Sequence, residues 1–213
     1  MNTQLKITII IVAVLAIGGM IVGLPQLPQM KMERPAESKL PTAELLDQNA
    51  TQVNFASDIV GDRIIALNLI YTDCNTACPV VSAIFEKLQS QLGEKLQQNV
   101  RMVSLSINPI RDTPEKLKAY AEHFHAQPEW RWLTGDKTQV DSLLKALGVY
   151  SADYSNHTPI ILIGDPTRSG WTRFDGFTSP ETLAAKIDEL KILNSVGCCY
   201  WLFYVAPLYP PSH

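Results

Sequence analysis

Ile64-Ile65-Ala66-Leu67-Asn68-Leu69-Ile70-Tyr71-Thr72-Asp73-Cys74-Asn75-Thr76-Ala77-Cys78-Pro79 is the stretch on which the fold turns. Its first seven residues are almost wholly apolar, the character of a central strand covered on both faces. Beyond it, Val81, Ile84, Phe85, Leu88 and Leu92 recur at the spacing of one helix face. A buried strand therefore hands over to an amphipathic helix through a segment that carries two cysteines. Pro79 suits the first helical turn, where the missing N–H has no partner to lose.

Working downstream, Val100 to Ile107 reads as the next strand. Thr113-Pro114-Glu115 opens a second helix, with Thr113 as N-cap, Pro114 at the first helical position and a core face of Leu117, Tyr120, Ala121 and Phe124. A short strand is expected before the next helix, where Asp136 and Gln139 have capping-box spacing ahead of Val140, Leu143, Leu144 and Leu147. Pro159 to Ile163 and Trp171 to Phe174 read as two strands joined by a turn around Gly164-Asp165-Pro166, and Ser179-Pro180-Glu181 caps a last helix carrying Leu183, Ile187 and Leu190. The order β-α-β-α-β-α-β-β-α predicts an α/β fold with a central mixed sheet flanked by helices. A parallel start followed by a terminal antiparallel hairpin is the thioredoxin-like arrangement. No internal repeat is visible, and no glycine-rich phosphate loop follows a strand.

The 213 residues are 46% hydrophobic and 18% charged, a folding composition with room for one domain plus an anchor or tail. A net charge of -3 argues against nucleic acid as a partner. Ile7 to Leu24 is an apolar run without a charge, long enough as a helix to cross the hydrocarbon layer of a bilayer. No A-x-A cleavage site follows it, so an uncleaved signal anchor is expected rather than a removed signal peptide. The expected organisation is an N-terminal transmembrane anchor over residues 1–24, a Pro-rich linker over 25–41, the α/β domain over 42–193 and an apolar tail over 194–213. The soluble part should then face the non-cytoplasmic side, the periplasm for a single-pass protein of a bacterial inner membrane. Met30 and Met32 in the linker offer soft thioethers, but an extended spacer explains that segment more simply. In the tail, Cys198 and Cys199 are adjacent and so poorly placed to bridge one another, and packing is the simpler account of the aromatic segment around them.

Cys74 and Cys78 should lie at or just before a helix N-terminus, where unpaired amides and the helix dipole favour thiolate over thiol. A thiolate serves equally as the nucleophile of disulfide exchange and as a ligand for a soft metal. The residues alone leave both uses open, together with a plain structural disulfide.

The segment Tyr71 to Pro79 resembles the C-x-x-x-C-P signature of the Sco/SenC proteins, and Ser104-Leu105-Ser106-Ile107-Asn108-Pro109-Ile110-Arg111-Asp112-Thr113-Pro114 is similar to their second motif. Trp132-Leu133-Thr134-Gly135 and Asn156-His157-Thr158 extend the resemblance, which covers about Leu45 to Leu190. It implies a membrane-anchored, thioredoxin-like protein that binds a copper ion through Cys74, Cys78 and His157. It also implies a metallochaperone or thiol reductant for the copper-bearing subunit of cytochrome c oxidase, or for another copper or thiol protein. The alternative function is a metal-independent thiol–disulfide oxidoreductase using Cys74 and Cys78 as its redox-active pair. Two thiolates suit Cu(I), and an added imidazole accommodates Cu(II). This chain carries Asn108 and Asn156 where many members of the family have aspartate. Thr158-Pro159 stands where thioredoxins place a cis-proline, although trans is the ordinary state of an X-Pro bond. His123, His125 and His213 are assigned to no site.

Overall fold

A computed structural model describes residues 42–153, 158–166 and 170–200, with side chains described up to residue 193. The expected anchor, the linker up to residue 41, His157 and the last thirteen residues lie outside this range. Among the described residues, no helix is long and apolar enough to cross a membrane.

The strand that anchors the reading, β3 (Ile64–Ile70), is buried at all seven positions, and so is β4 (Val100–Ser106) beside it. They pair in parallel from Ile64 opposite Val100 to Ile70 opposite Ser106. β5 (Trp130–Gly135) continues the parallel set beyond β4, with Met102 opposite Trp130. On the other side of β3, β6 (Ile160–Asp165) runs antiparallel with Ile161 opposite Asn68, and β7 (Gly170–Asp175) completes the terminal hairpin. Gly164 is required in that hairpin, because a Cβ there would lie 2.1 Å from the carbonyl oxygen of Gly170. The sheet is thus mixed, as expected, but it has seven strands. The two additional ones, β1 (Glu44–Asp47) and β2 (Gln52–Asn54), form an N-terminal hairpin that extends the edge, giving the order β2-β1-β5-β4-β3-β6-β7. A π-helical segment, Phe55–Val60, follows it.

Among the described residues, five helices accompany the sheet. α1 (Ala77–Leu92), α3 (Pro114–His123) and α5 (Pro180–Tyr200) contribute Val81, Phe85, Leu117, Leu183 and Ile187 to one core layer. The other layer holds Phe55 and Ile59 of the π-helical segment with Val140, Leu143 and Leu144 of α4 (Lys137–Ala146). A single turn of helix, α2 (Lys95–Gln98), leads into β4. Burying these faces supplies the hydrophobic stabilisation, on the order of 1.5–3 kcal/mol for each large side chain.

The predicted starts of α3 and α4 are as expected. Thr113 accepts from the Lys116 amide at 3.4 Å, and Asp136 accepts from the Thr138 and Gln139 amides at 2.8 and 3.4 Å. The capping box at Asp136 is only half made, because Gln139 Oε1 accepts from the Glu44 amide at 3.3 Å. That side chain ties α4 to the N-terminal hairpin. The last helix also runs beyond residue 193, taking in the start of the stretch read as a tail.

Trp130 and Trp132 are fully buried on the α1 side of the sheet, their rings stacked at 5.0 Å. Trp130 satisfies its indole N–H by donating to Ser104 Oγ at 2.9 Å, and Ser104 donates to Asn68 Oδ1 at 2.7 Å. The lone polar residue of the β3 run is therefore the acceptor that closes a buried hydrogen-bonded row.

Candidate metal centre at the cysteine loop

Parallel strands deliver their loops to one end of a sheet, the place where α/β folds build sites. Here the C-terminal end of β3 leads through Tyr71, Thr72 and Asp73 to Cys74, which lies before α1, while Cys78 is the second residue of that helix. Thr76, the N-cap residue, makes no side-chain capping hydrogen bond. The sulfur of Cys74 takes that place: it accepts from the Cys78 amide at 3.3 Å and lies 3.8 Å from Thr76 Oγ1. Both cysteines are reduced and buried, with exposures of 5% and 3%.

The two thiols are driven in opposite directions. Burial alone would push the Cys74 thiol up, but hydrogen bonds from the Cys78 thiol and amide, the Thr76 amide and the Tyr71 side chain outweigh it and bring Cys74 down to about 6. Cys78 is pushed up to about 12, first by burial, then because it gives its proton to the Cys74 sulfur and faces the charges of Cys74 and Asp112. The pair therefore rests with one thiolate and one proton. Above about pH 6 the Cys74 thiolate dominates, and it is lost as the pH falls through that value. Alkylation of the reduced protein should accordingly show one thiol whose rate–pH profile breaks near 6, with the other unreactive in the native state. A single break near the ordinary thiol value of about 8.5 would refute the assignment.

The turn after β4 grips this loop from two sides. Arg111 pairs with Asp73 across the surface at 3.4 Å. Asp112, only 1% exposed, accepts from the Thr72 amide at 3.1 Å, the Thr72 hydroxyl at 2.6 Å and the Ser106 hydroxyl at 2.5 Å. The motif containing Asp112 stood out in the sequence, but nothing there marked this aspartate as buried. Beyond Cys78 by one helical turn, Ser82 Oγ is buried without a hydrogen-bond partner, as are Tyr120 Oη and Trp132 Nε1 among the described residues. Burial holds the Tyr120 hydroxyl above its ordinary value.

Of the three expected ligands, Cys74 and Cys78 are brought together and His157 lies outside the described residues. Pro159, two residues after it, leads into β6, whose Ile161 pairs with Asn68 of β3. The Thr158–Pro159 bond is trans, since no described peptide bond is cis. His125 is engaged elsewhere, its Nδ1 2.7 Å from Glu86 Oε1, and His123 packs edge-on against Phe124. Among the described residues no group of three or more His, Cys, Asp or Glu side chains is arranged to hold a metal.

A helix-capping thiolate four residues before a protonated thiol, on a thioredoxin-like sheet, is the geometry against which known proteins can be set. Residues 32–191 match the SCO1/SenC family. The chain belongs to that family. A Stutzerimonas stutzeri protein named for copper binding is 32% identical over 115 residues, 54% of each chain, so the chain spans about half the length of that relative. Among solved structures, BsSco, a Sco-family cytochrome c oxidase assembly protein with an identified disulfide switch, matches with a TM-score of 0.59 and 19% identity, covering 70% of this chain and 91% of that one. Copper-bound ScoI of Bradyrhizobium japonicum matches with a TM-score of 0.56 and 24% identity, covering 70% and 96%. At these identities the structures establish a shared thioredoxin-like fold.

Proposed function

We propose that this SCO1/SenC protein is a membrane-anchored copper carrier in which Cys74, Cys78 and His157 take up the ion and pass it to, or reduce the thiols of, the copper-bearing subunit of cytochrome c oxidase. The observation that carries the reading is the reduced, buried cysteine pair at the start of α1, where the Cys74 sulfur accepts from the Cys78 amide at 3.3 Å. This placement lowers the Cys74 thiol to about 6 and keeps the proton on Cys78. Copper is the cargo, and the donor set suits it, because thiolate sulfur is a soft ligand. Cys74 offers its lone pair without prior deprotonation near neutral pH. Cys78 joins by releasing its proton, so uptake by both sulfurs liberates one proton per ion. His157 supplies the nitrogen that extends the site to Cu(II).

The same arrangement supports a second reading, favoured by the low value at Cys74. Its thiolate can attack a partner disulfide, forming a mixed disulfide and releasing one partner thiolate. Cys78 then gives up its proton and attacks Cys74 sulfur, closing the 74–78 disulfide and releasing the second partner thiolate. Exposed Val80, Ile110 and Phe177 support a macromolecular partner at this end of the sheet. Val80 follows Pro79, Ile110 lies in the turn gripping the cysteine loop, and Phe177 follows Gly176, whose amide donates to the Pro159 carbonyl at 2.8 Å. Ile7 to Leu24 is the proposed anchor, with the dithiol on the non-cytoplasmic side.

Copper stoichiometry and metal-free reduction of a disulfide-bonded peptide, measured on one preparation of the full chain in detergent, decide between the two. One Cu(I) per chain with slow peptide reduction is the expected result. Rapid reduction without copper uptake would make this protein an oxidoreductase.

A further inference from the structure

Asp112 is more deeply buried than any other acidic side chain near the cysteine loop, and all three groups that donate to its carboxylate are neutral. Its neighbour Arg111 does not neutralise it, but turns outward to Asp73. The backbone of Asp112 is fixed as well: its amide donates to the Asn108 carbonyl at 3.0 Å, and its carbonyl accepts from Thr134 Oγ1 at 2.8 Å. Among the described residues no cation pairs with it. A buried carboxylate held only by neutral donors retains a cost that a nearby positive charge would relieve. Through Thr72 this carboxylate is attached to the loop that ends in Cys74.

We propose that Asp112 is a specificity-determining residue of the cysteine site, where its fixed negative charge favours a divalent copper ion over a monovalent one. The proposal rests on the copper reading above and extends it. Thiolate sulfur binds as a soft ligand, and that softness favours Cu(I) against the Coulombic preference that any negative charge has for the divalent ion. A carboxylate that does not touch the ion adds the Coulombic part alone, and its attraction scales with the charge on the ion. Asn108 in the same turn is uncharged, so among the described residues Asp112 is the buried carboxylate hydrogen-bonded to the cysteine loop. In the metal-free protein the same charge opposes the Cys74 thiolate and leaves a neutral disulfide untouched, so it also favours the oxidised pair.

The test uses full-length protein in detergent with Cys198 and Cys199 replaced by Ser, under anaerobic conditions. Cu(I) and Cu(II) affinities are read by chelator competition in wild type, Asp112→Asn and Ser106→Ala. Asp112→Asn should lower the Cu(II)-to-Cu(I) affinity ratio roughly tenfold, the size of effect one charge exerts across several ångströms at an effective dielectric of about 20. Without metal, it should shift the dithiol–disulfide equilibrium in glutathione buffer toward the dithiol. Ser106→Ala removes a hydrogen bond and keeps the charge, so its ratio should stay at the wild-type value. If Asp112→Asn fails to fold, Asn108→Asp carries the test with the opposite sign, since it adds a carboxylate to the same turn. Wild-type protein that binds copper, with a ratio unmoved by either charge change or moved equally by Ser106→Ala, would overturn the proposal. Wild-type protein that binds neither ion would instead overturn the copper reading.

Discussion

Oxidising the protein should abolish copper uptake. With Cys198 and Cys199 replaced by Ser, the reduced chain is expected to take up one Cu(I) and the disulfide form none. The reason lies in the electron pairs: a sulfur committed to an S–S bond is no longer a thiolate, and thiolate is the ligand form. The geometry makes closure between these two sulfurs accessible, because both belong to one helical start, where the Cys78 amide donates to the Cys74 sulfur at 3.3 Å. Replacing Cys74 by Ser should be as damaging as oxidation, since it removes the sulfur that is ionised near neutral pH. Anaerobic titration with a Cu(I) chelator as competitor measures both. Equal uptake by reduced and oxidised chains would show that the ion sits elsewhere.

His157→Ala is expected to separate the two copper oxidation states. Cu(I) should remain bound, because two sulfurs satisfy it, while Cu(II) affinity should fall by at least tenfold for want of an imidazole nitrogen. Peptide reduction should change little, because the nucleophile is the thiolate at Cys74. Electron paramagnetic and optical spectra of the Cu(II) form, recorded on wild type and variant, supply the comparison. An unchanged Cu(II) spectrum would remove His157 from the ligand set.

The parts of this architecture that were legible in the sequence are those in which one physical requirement dominates. A seven-residue run such as Ile64–Ile70 can satisfy its composition only between two helix layers, and Thr113-Pro114 carries both an acceptor side chain and a preset backbone angle. The β1–β2 hairpin escaped because strands of four and three residues leave too few positions for alternation to emerge. Its turn is closed by Asp47, whose carboxylate accepts from the Asn49 and Thr51 amides at 2.9 Å each. Gln139 fitted a local motif, yet its side chain serves a partner 95 residues away. Asp112 was hidden for a related reason: next to Arg111 in a polar segment it looks solvated, and only the parallel pairing of β3 with β4 brings Thr72 down upon it. Cys74 and Cys78 were found by spacing, but the direction of each thiol was not. It depends on which sulfur receives the helix amides and which lies beneath them.

Sulfur is an unusual terminus for a helix, and α1 begins on one that is also the reactive atom. Side-chain caps are worth about 0.5–2 kcal/mol to a helix. Any event that draws electron density away from Cys74, whether attack on a disulfide or donation to an ion, weakens the acceptor that holds the Cys78 amide. The opening turn of α1 is thus best capped while Cys74 is an unreacted thiolate and less well capped once that sulfur has reacted. This difference pulls the pair back toward the unreacted state, favouring release over retention of whatever Cys74 has captured.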